Sequence, residues 1–189
     1  VKYTFHWVYF CYNKNMIDRK ELDTIIKNNG GNNWWKPDLF KEYTLKLLPK
    51  ELEVIENPPE SANNYNCFIH ALGLSDNQEI ITDSGGFIQD TFIFKLIDEK
   101  LLEYTDNPVT GDYIIYRDLI NYPKYITHIG VLLDDQTVIS KWAWGPTVKH
   151  SMFNVPFSYG SDIKYIKKIS KEDALALYTK YKEFNVQQD

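Results

Sequence analysis

The sequence predicts a single domain of the α+β class, in which helical signals come mainly before strand signals. Helical spacing of apolar residues appears at 17–29 and 87–98, and most strand-like runs follow residue 100. A length of 189 residues with 43% hydrophobic side chains is enough for one buried core. The expected parts are an N-terminal extension (1–57), a central core (58–169) and a C-terminal helix (170–189).

The first sixty residues are predicted to contain one strand, one helix and an irregular connection. Residues 1–12 are rich in aromatic and β-branched types, which indicates a strand, and His6 and Cys11 are interpreted as packing residues within it. Residues 17–29 have the spacing of an amphipathic helix and are followed by two glycines. Prolines and tryptophans over 32–60 predict an irregular connection with short helical or extended pieces.

Beyond a short helix that starts at residue 67, the chain is predicted to form a loop, a helix, several strands and a last helix. The loop covers 75–86 and ends in Ser-Gly-Gly, and 87–98 has a broad apolar helical face. The last helix, 171–184, begins with a capping pattern of Ser170 and Asp173. Apolar and β-branched runs predict strands at 101–104, 112–117, 126–133, 137–142 and 162–169.

Composition and charge exclude some classes of partner. The net charge of −5 argues against nucleic acid as a bulk partner, and no apolar run is long enough for a membrane span. Two cysteines cannot form a disulfide framework, so the cellular compartment stays open. The start at Val1 is compatible with a processed, secreted or delivered domain, and equally with a cytoplasmic protein.

Cys67 is the candidate nucleophile. It lies in the stretch NNYNCFIHALG, where asparagines precede a short apolar run that Gly73 ends, so the thiol is expected in the first turn of a helix. There the free N–H groups and the positive end of the helix dipole favour thiolate over thiol, which predicts a lowered pKa. The alternative is that Cys67 is a small buried hydrophobic residue, as free cysteines usually are.

His128 is the candidate general base. It lies in the apolar run ITHIGVLL, which is predicted to form a strand. Gly130 shares the face of His128 in a strand of period two, and we expect this glycine to leave room for the helix that carries the thiol. A histidine within a strand is more often structural than catalytic, so a packing role is the alternative.

A hairpin is predicted to bring the third member of the site beside His128. Turn residues at 134–136 join two predicted strands, and a three-residue loop would place Trp142 opposite His128. Ser140 would then lie diagonally on the same face, about 7–8 Å away by backbone, and could orient the imidazole. His150 is the second candidate for this role, and an ordinary strand serine is the alternative reading of Ser140.

The motifs GDYIIY (111–116) and THIGVLLDDQTVIS (127–140) resemble the second half of the NlpC-type branch of papain-like cysteine hydrolases. In that branch a Gly-Asp strand precedes the strand that carries the base, and the nucleophile lies upstream at a helix start. The pattern YNCFIHALG, THIGVLL, SKW and a later histidine also resembles an uncharacterised bacterial papain-like family with a YNC, TH and SK signature. The resemblance covers residues 58–168.

The resemblance implies a papain-like fold, with the nucleophile helix packed on an antiparallel sheet, and an amide or ester hydrolase of peptidase or amidase type. It implies Cys67 as nucleophile, His128 as base and Ser140 as third residue, without metal or organic cofactor. The implied substrate is a peptide, a protein or a peptidoglycan-like molecule. The residues expected to contact it are Tyr65, Asn66 and Trp142. Asn66 precedes the cysteine here, where the NlpC branch usually has Asp.

Three alternatives stay open. The first is an effector or toxin-type deamidase or protease of the same fold that acts on one specific protein. The second is a catalytically silent module that binds a peptide or glycan through Trp142 and Tyr65. The third is a zinc site in which Cys67 and His70, three residues apart on one helix face, are joined by another histidine.

Overall fold

An antiparallel sheet forms the centre of the molecule. The computed structural model of the chain describes residues 17–28, 36–60 and 64–185. Within these ranges the sheet has seven strands in the order β1-β6-β5-β4-β3-β7-β2. The strands are β1 (Glu53–Glu56), β2 (Tyr104–Thr105), β3 (Tyr113–Arg117), β4 (His128–Leu132), β5 (Thr137–Lys141), β6 (Thr147–Ser151) and β7 (Asp162–Ile166).

Helices precede, interrupt and follow the strands, so the chain is of the predicted α+β class. Before β1 the chain passes through a π-helical turn (Phe40–Thr44) and a 3-10 turn (Leu45–Leu47). The α-helices are α1 (Arg19–Asn28), α2 (Pro37–Leu39), α3 (Cys67–Ala71), α4 (Gln78–Asp83), α5 (Asp90–Asp98) and α6 (Lys171–Tyr181). No helix in the described part of the chain is both long and apolar enough to cross a bilayer.

The two faces of the sheet are covered by different parts of the chain. Phe68 of α3 and Phe92 of α5 belong to the same apolar cluster as Ile129 of β4. Leu132 of the same strand belongs to a second cluster on the opposite face, as expected from the alternation of side chains. His128, four residues before Leu132, lies on that second face, at the first position of its strand.

Helix α1 is part of the folded body. Its Leu22 and Ile26 are buried against Trp142 and Val148, the latter a residue of β6. Strand β1 also pairs with β6, with Glu53 opposite Lys149. Residues before position 58 thus complete the sheet edge and cover one face of it.

Several predicted elements have different bounds in the structure. Residues 75–86, predicted as a loop, contain α4, because Asn77 caps it and two buried isoleucines tie it to the core. The helix expected at 87–98 begins at Asp90, and the strand expected at 101–104 is only Tyr104–Thr105. Strand β6 was not predicted. The strand predicted at 1–12, with His6 and Cys11, lies outside the described residues.

The predicted β4–β5 hairpin is confirmed. Val131 lies opposite Ile139 and Leu132 lies opposite Val138, which is the register of the expected loop. Continued along the strands, this register places Trp142 opposite His128 and Ser140 opposite Gly130. Four predicted strands and the helix after Ser170 also agree with the structure apart from their ends.

Gly130 makes room for strand β5. A Cβ atom at this position would lie 2.5 Å from Val138 Cγ1 and 3.1 Å from Ser140 Cβ. Both atoms belong to β5, so the expectation that this glycine accommodates the thiol helix is corrected. A Cβ at Gly130 would enter the space that is filled by β5 side chains on the same face of the sheet. The close approach is therefore between neighbouring strands.

Gly130→Ala is therefore expected to lower the free energy of unfolding by about 1–3 kcal/mol, the usual cost of overpacking a core position. Urea unfolding followed by tryptophan fluorescence measures this. In a Val138→Ala background the cost should be smaller, because the closest atom is gone. Equal unfolding free energies for the native chain and Gly130→Ala would show that the strands separate without strain.

Candidate functional site

The helix that carries Cys67 is held at its start by Asn66. The Asn66 Oδ1 atom accepts a hydrogen bond from the Ile69 N–H at 3.3 Å, which caps the helix as predicted. Its Nδ2 atom donates to the Ile88 carbonyl at 2.7 Å, and its own N–H donates to the Gly86 carbonyl at 2.9 Å. Asn66 thus fixes the first turn of α3 to the segment before α5.

Asn66→Ala is expected to lower the free energy of unfolding by about 2–3 kcal/mol, because it removes the cap and leaves buried backbone groups of Ile88 unpaired. Asn77→Ala is a matched control. Asn77 caps α4 through the same type of bond, to the Ile80 N–H at 3.1 Å, and should cost only about 1 kcal/mol. Chemical denaturation of both variants gives the comparison, and equal losses would contradict the tethering role of Asn66.

Cys67 and His128 line one half-enclosed cavity of about 200 Å³. The two residues come from opposite faces of the sheet and lie at its end, where α3 begins and β4 begins. Other lining residues are Phe87, Asp90, Ala143 and Tyr159. Ala143 has a φ of +47°, a left-handed conformation that costs energy for a residue with a side chain.

The structure corrects the expected direction of the Cys67 pKa. Burial raises the pKa of this thiol to about 12. Backbone groups of Ile129, Cys67 and Phe68 favour the thiolate and oppose the rise, and the positive charge of Lys141 opposes it further. Burial outweighs the helix start because the residue has lost nearly all contact with solvent. Cys67 is therefore a free thiol that is protonated at neutral pH.

His128 is buried, and neither of its ring nitrogens has a hydrogen-bond partner among the described residues. Burial lowers its pKa well below the ordinary value, and the nearby His150 and His70 lower it further. Its ring stacks on Tyr159, with centroids 4.0 Å apart and planes 15° apart. A neutral imidazole with two unused nitrogens beside a cavity is able to accept a proton from a bound group.

Ser140 and His150 bond to each other and not to His128. The Ser140 Oγ atom lies 2.8 Å from His150 Nε2 and accepts a hydrogen bond from Trp142 Nε1 at 3.1 Å. His150 Nδ1 lies 2.9 Å from the carbonyl of Ser151, so both of its nitrogens are engaged. Ser140 faces Gly130, and its hydroxyl bonds to His150 of β6. The expected orienting contact between Ser140 and His128 is therefore absent among these bonds.

Lys141 places a buried ammonium near the thiol. Its Nζ atom donates to the Gly145 carbonyl and lies 5.1 Å from the ring centre of Tyr65. Burial lowers its pKa to about 7, while Glu56 and Cys67 oppose this change. At neutral pH only part of the Lys141 population is therefore protonated, so the positive charge near Cys67 is a fractional one.

The three residues expected to contact substrate have different positions. Asn66 lines the cavity, but its carboxamide is used for the bonds to α3 and to Ile88. Tyr65 stacks on His70 with ring centres 6.3 Å apart and is buried. Trp142 is fully buried behind Ser140. Neither Tyr65 nor Trp142 lines the cavity that holds Cys67.

Tyr159 and Lys141 are the site residues that sequence reasoning missed. Tyr159 lies in a 3-10 turn, where it belongs to no periodic pattern that would place it beside His128. The position of Lys141 is visible in the sequence, since a lysine within the apolar run of β5 has to be buried or to end the strand. No group of three or more metal-ligating side chains is found among the described residues.

Comparisons with known proteins add nothing to this geometry. No family model, no curated protein and no solved structure matches the chain.

Proposed function

We propose that the chain is a cysteine-dependent hydrolase of amides or esters with a papain-like fold. One observation carries the proposal: the thiol of Cys67 and the unpartnered imidazole of His128 line the same cavity. Their order along the chain, with the thiol on a helix and the base on a later strand, agrees with that fold. The sequence resemblance points to the same residues, and its peptidase, amidase and effector variants share this chemistry.

The states of the two side chains define how the reaction would begin. Cys67 has a pKa of about 12 and His128 has a lowered pKa, so the resting pair is a neutral thiol and a neutral imidazole. His128 then acts as general base, which accepts the thiol proton as the sulfur attacks the carbonyl carbon. Backbone groups of Cys67, Phe68 and Ile129 favour negative charge on the sulfur, and they are the proposed donors for the negative charge that develops during the attack.

The rest of the reaction follows from the same two residues. The protonated His128 gives its proton to the leaving nitrogen or oxygen as the C–N or C–O bond to the carbonyl carbon breaks, which leaves a thioester on Cys67. A water molecule loses a proton to His128 and attacks the thioester, which releases the acid and restores the thiol. Ser140 and His150 take no part in these steps, because their polar atoms bond to each other and to neighbouring groups.

Trapping of the thioester tests this proposal. Incubation of the native chain with a panel of activated acyl esters and amides should give an acyl group on Cys67, read by intact and peptide mass. His128→Ala should reduce the acylation rate by about 100-fold or more, the usual contribution of a general base. Cys11 in the same digest is the internal control for general thiol reactivity.

Equal acylation of Cys67 and Cys11, or a rate that does not depend on His128, would contradict the proposal. A circular dichroism spectrum of His128→Ala separates loss of the base from loss of the fold. Cys67→Ala should remove the thioester while leaving the fold intact, because alanine keeps most of the small volume of this side chain.

A binding module without turnover is the second candidate, and the raised pKa of Cys67 favours it. In such a module the cavity would hold a ligand group that hydrogen-bonds to His128. Calorimetric titration of candidate ligands tests this second function. Equal affinity for the native chain and for Cys67→Ser, with no acyl transfer to either protein, would favour it.

A further inference from the structure

We propose that Tyr159 is the positioning residue of His128, and that helix α1 holds Tyr159 in place through Arg19 and Asp23. The proposal rests on the proposed function, since it assigns the role of third residue in that site. It replaces Ser140 and His150, whose hydrogen bonds lead away from His128.

The contact between the two rings is close and nearly parallel. The centroids of Tyr159 and His128 are 4.0 Å apart, and their planes differ by 15°. Tyr116 meets the imidazole from β3 at a centroid distance of 5.5 Å and a tilt of 40°. With no hydrogen bond from the described residues to either ring nitrogen, these aromatic contacts set the plane of the imidazole.

The backbone of Tyr159 is tied directly to the strand that carries His128. The hydroxyl of Thr127, the residue before His128, donates toward the Tyr159 carbonyl at 2.6 Å and lies 2.8 Å from the Tyr116 carbonyl. One threonine therefore fixes both aromatic residues relative to the base. Tyr159 and His128 also line the same cavity as Cys67.

Arg19 of α1 holds the segment around Tyr159 from the outer side. Its guanidinium donates to the Val155 carbonyl at 2.9 Å, to the Pro156 carbonyl at 3.2 Å and to the Gly160 carbonyl. It also reaches Ser161 Oγ at 2.9 Å. These acceptors lie on both sides of Tyr159 in the chain, so one side chain spans the turn.

Asp23, one helical turn after Arg19, fixes the middle of the same segment. Its two carboxylate oxygens accept from the N–H and the hydroxyl of Ser158, at 2.9 Å and 2.7 Å. Ser158 directly precedes Tyr159. Helix α1 thus contacts this segment before Ser158, at Ser158 and after Tyr159. Neither Arg19 nor Asp23 lines the cavity.

An aromatic face on the base has a specific chemical effect. When His128 takes the proton of Cys67 it becomes an imidazolium, and an aromatic ring stacked on a cation lowers its energy. The ring also prevents the imidazole from rotating away from the thiol. The ionisable groups around His128 are Cys67, His70, His150, Tyr116 and Tyr159 itself, and the tyrosine hydroxyls stay neutral because burial raises their pKa.

The test compares Tyr159→Leu with Tyr159→Phe, which keeps the ring. Tyr159→Leu should slow acylation of Cys67 by roughly 10- to 30-fold, whereas Tyr159→Phe should leave it within about twofold. The His128 ring should also titrate at a higher pH in Tyr159→Leu, because burial is the largest cause of its lowered pKa and relief of that burial outweighs the loss of the stacked ring. In Tyr159→Phe it should titrate at the native pH. NMR of ring-labelled histidine reads the titration without any substrate.

Variants of α1 test the second half of the proposal from a distance. Asp23→Ala and Arg19→Lys should move acylation and the His128 titration in the same direction as Tyr159→Leu, by a smaller amount. Thr24→Ala is the control, since Thr24 is exposed and its hydroxyl bonds to the Lys20 carbonyl within the helix. These variants also keep the test open if Tyr159→Leu fails to fold.

Two results would overturn the proposal. One is a His128 titration that is the same in Tyr159→Leu, Asp23→Ala and the native chain. The other is an equal loss of acylation in Tyr159→Phe and Tyr159→Leu, which would assign the effect to the hydroxyl. If the native chain forms no thioester at all, the proposed function fails, and the histidine titration alone still decides whether Tyr159 positions the ring.

Discussion

Iodoacetamide is expected to alkylate Cys67 in the native chain about a thousandfold more slowly than in the urea-unfolded chain at the same neutral pH. Burial raises the pKa of the thiol from 9.0 to about 12, and the reactive thiolate is correspondingly rare at every pH below that value. The rate should rise tenfold per pH unit well beyond the range of a free thiol. Peptide mass after timed quenching measures it, with the unfolded chain as reference.

The same experiment distinguishes two ways in which a cysteine and a histidine can cooperate. In a thiolate–imidazolium pair, Cys67 would react fast below the free-thiol pKa and lose this reactivity in His128→Ala. In the neutral pair described above, His128→Ala should leave the slow alkylation nearly unchanged, because iodoacetamide reacts with the thiolate and a neutral imidazole does not raise the thiolate population. Fast alkylation at about pH 6 would contradict the neutral pair and restore the lowered pKa that the helix start alone suggests.

Acid is expected to destabilise the fold strongly below the ordinary pKa of histidine. Burial lowers the pKa of His150 to about 4 from 6.5, and it lowers that of His128 well below its usual range. Since the unfolded state then binds more protons, the stability from these groups is present above about pH 6.5 and is lost as the pH falls. His150 alone should account for about 3 kcal/mol between pH 7 and pH 4.

Urea unfolding at a series of pH values measures this loss. His150→Gln keeps a polar group beside Ser140 but cannot titrate, so its stability should fall less steeply between about pH 6.5 and pH 4. Thr24→Ala is the control, because it changes an exposed position and should follow the native slope. A native slope that equals that of His150→Gln would show that His150 does not remain neutral in the fold.

The sequence predicted features that depend on neighbours in the chain. The cap at Asn66, the helix start at Cys67 and the stop at Gly73, which has a φ of +70°, follow from residues within one turn of each other. The β4–β5 register follows in the same way from a short loop between two apolar runs. Local interactions alone decide these elements.

Features that depend on the whole fold could not be predicted. The helix start favours a lowered pKa for Cys67, but α3 packs onto β4 and β5, and the resulting burial raises it. Tyr159 lies 31 positions after His128 and stacks on it from a turn that α1 contacts through Arg19. The partner of Ser140 is His150 on β6, a strand that the sequence pattern did not reveal.

The order of strands in the sheet determines when the chain can fold during synthesis. Strand β3, in the interior of the sheet, pairs with β7, whose last residue is Ile166. Strand β1 cannot pair until β6, which contains Lys149, has been made. A nascent chain that has not yet exposed β6 and β7 outside the ribosome therefore holds an unpaired β1 and apolar helices without their sheet. Pairings this distant in sequence also make folding slow. Cys67, which is buried in the finished fold, accordingly stays open to oxidants until the strands that α3 packs against have been made.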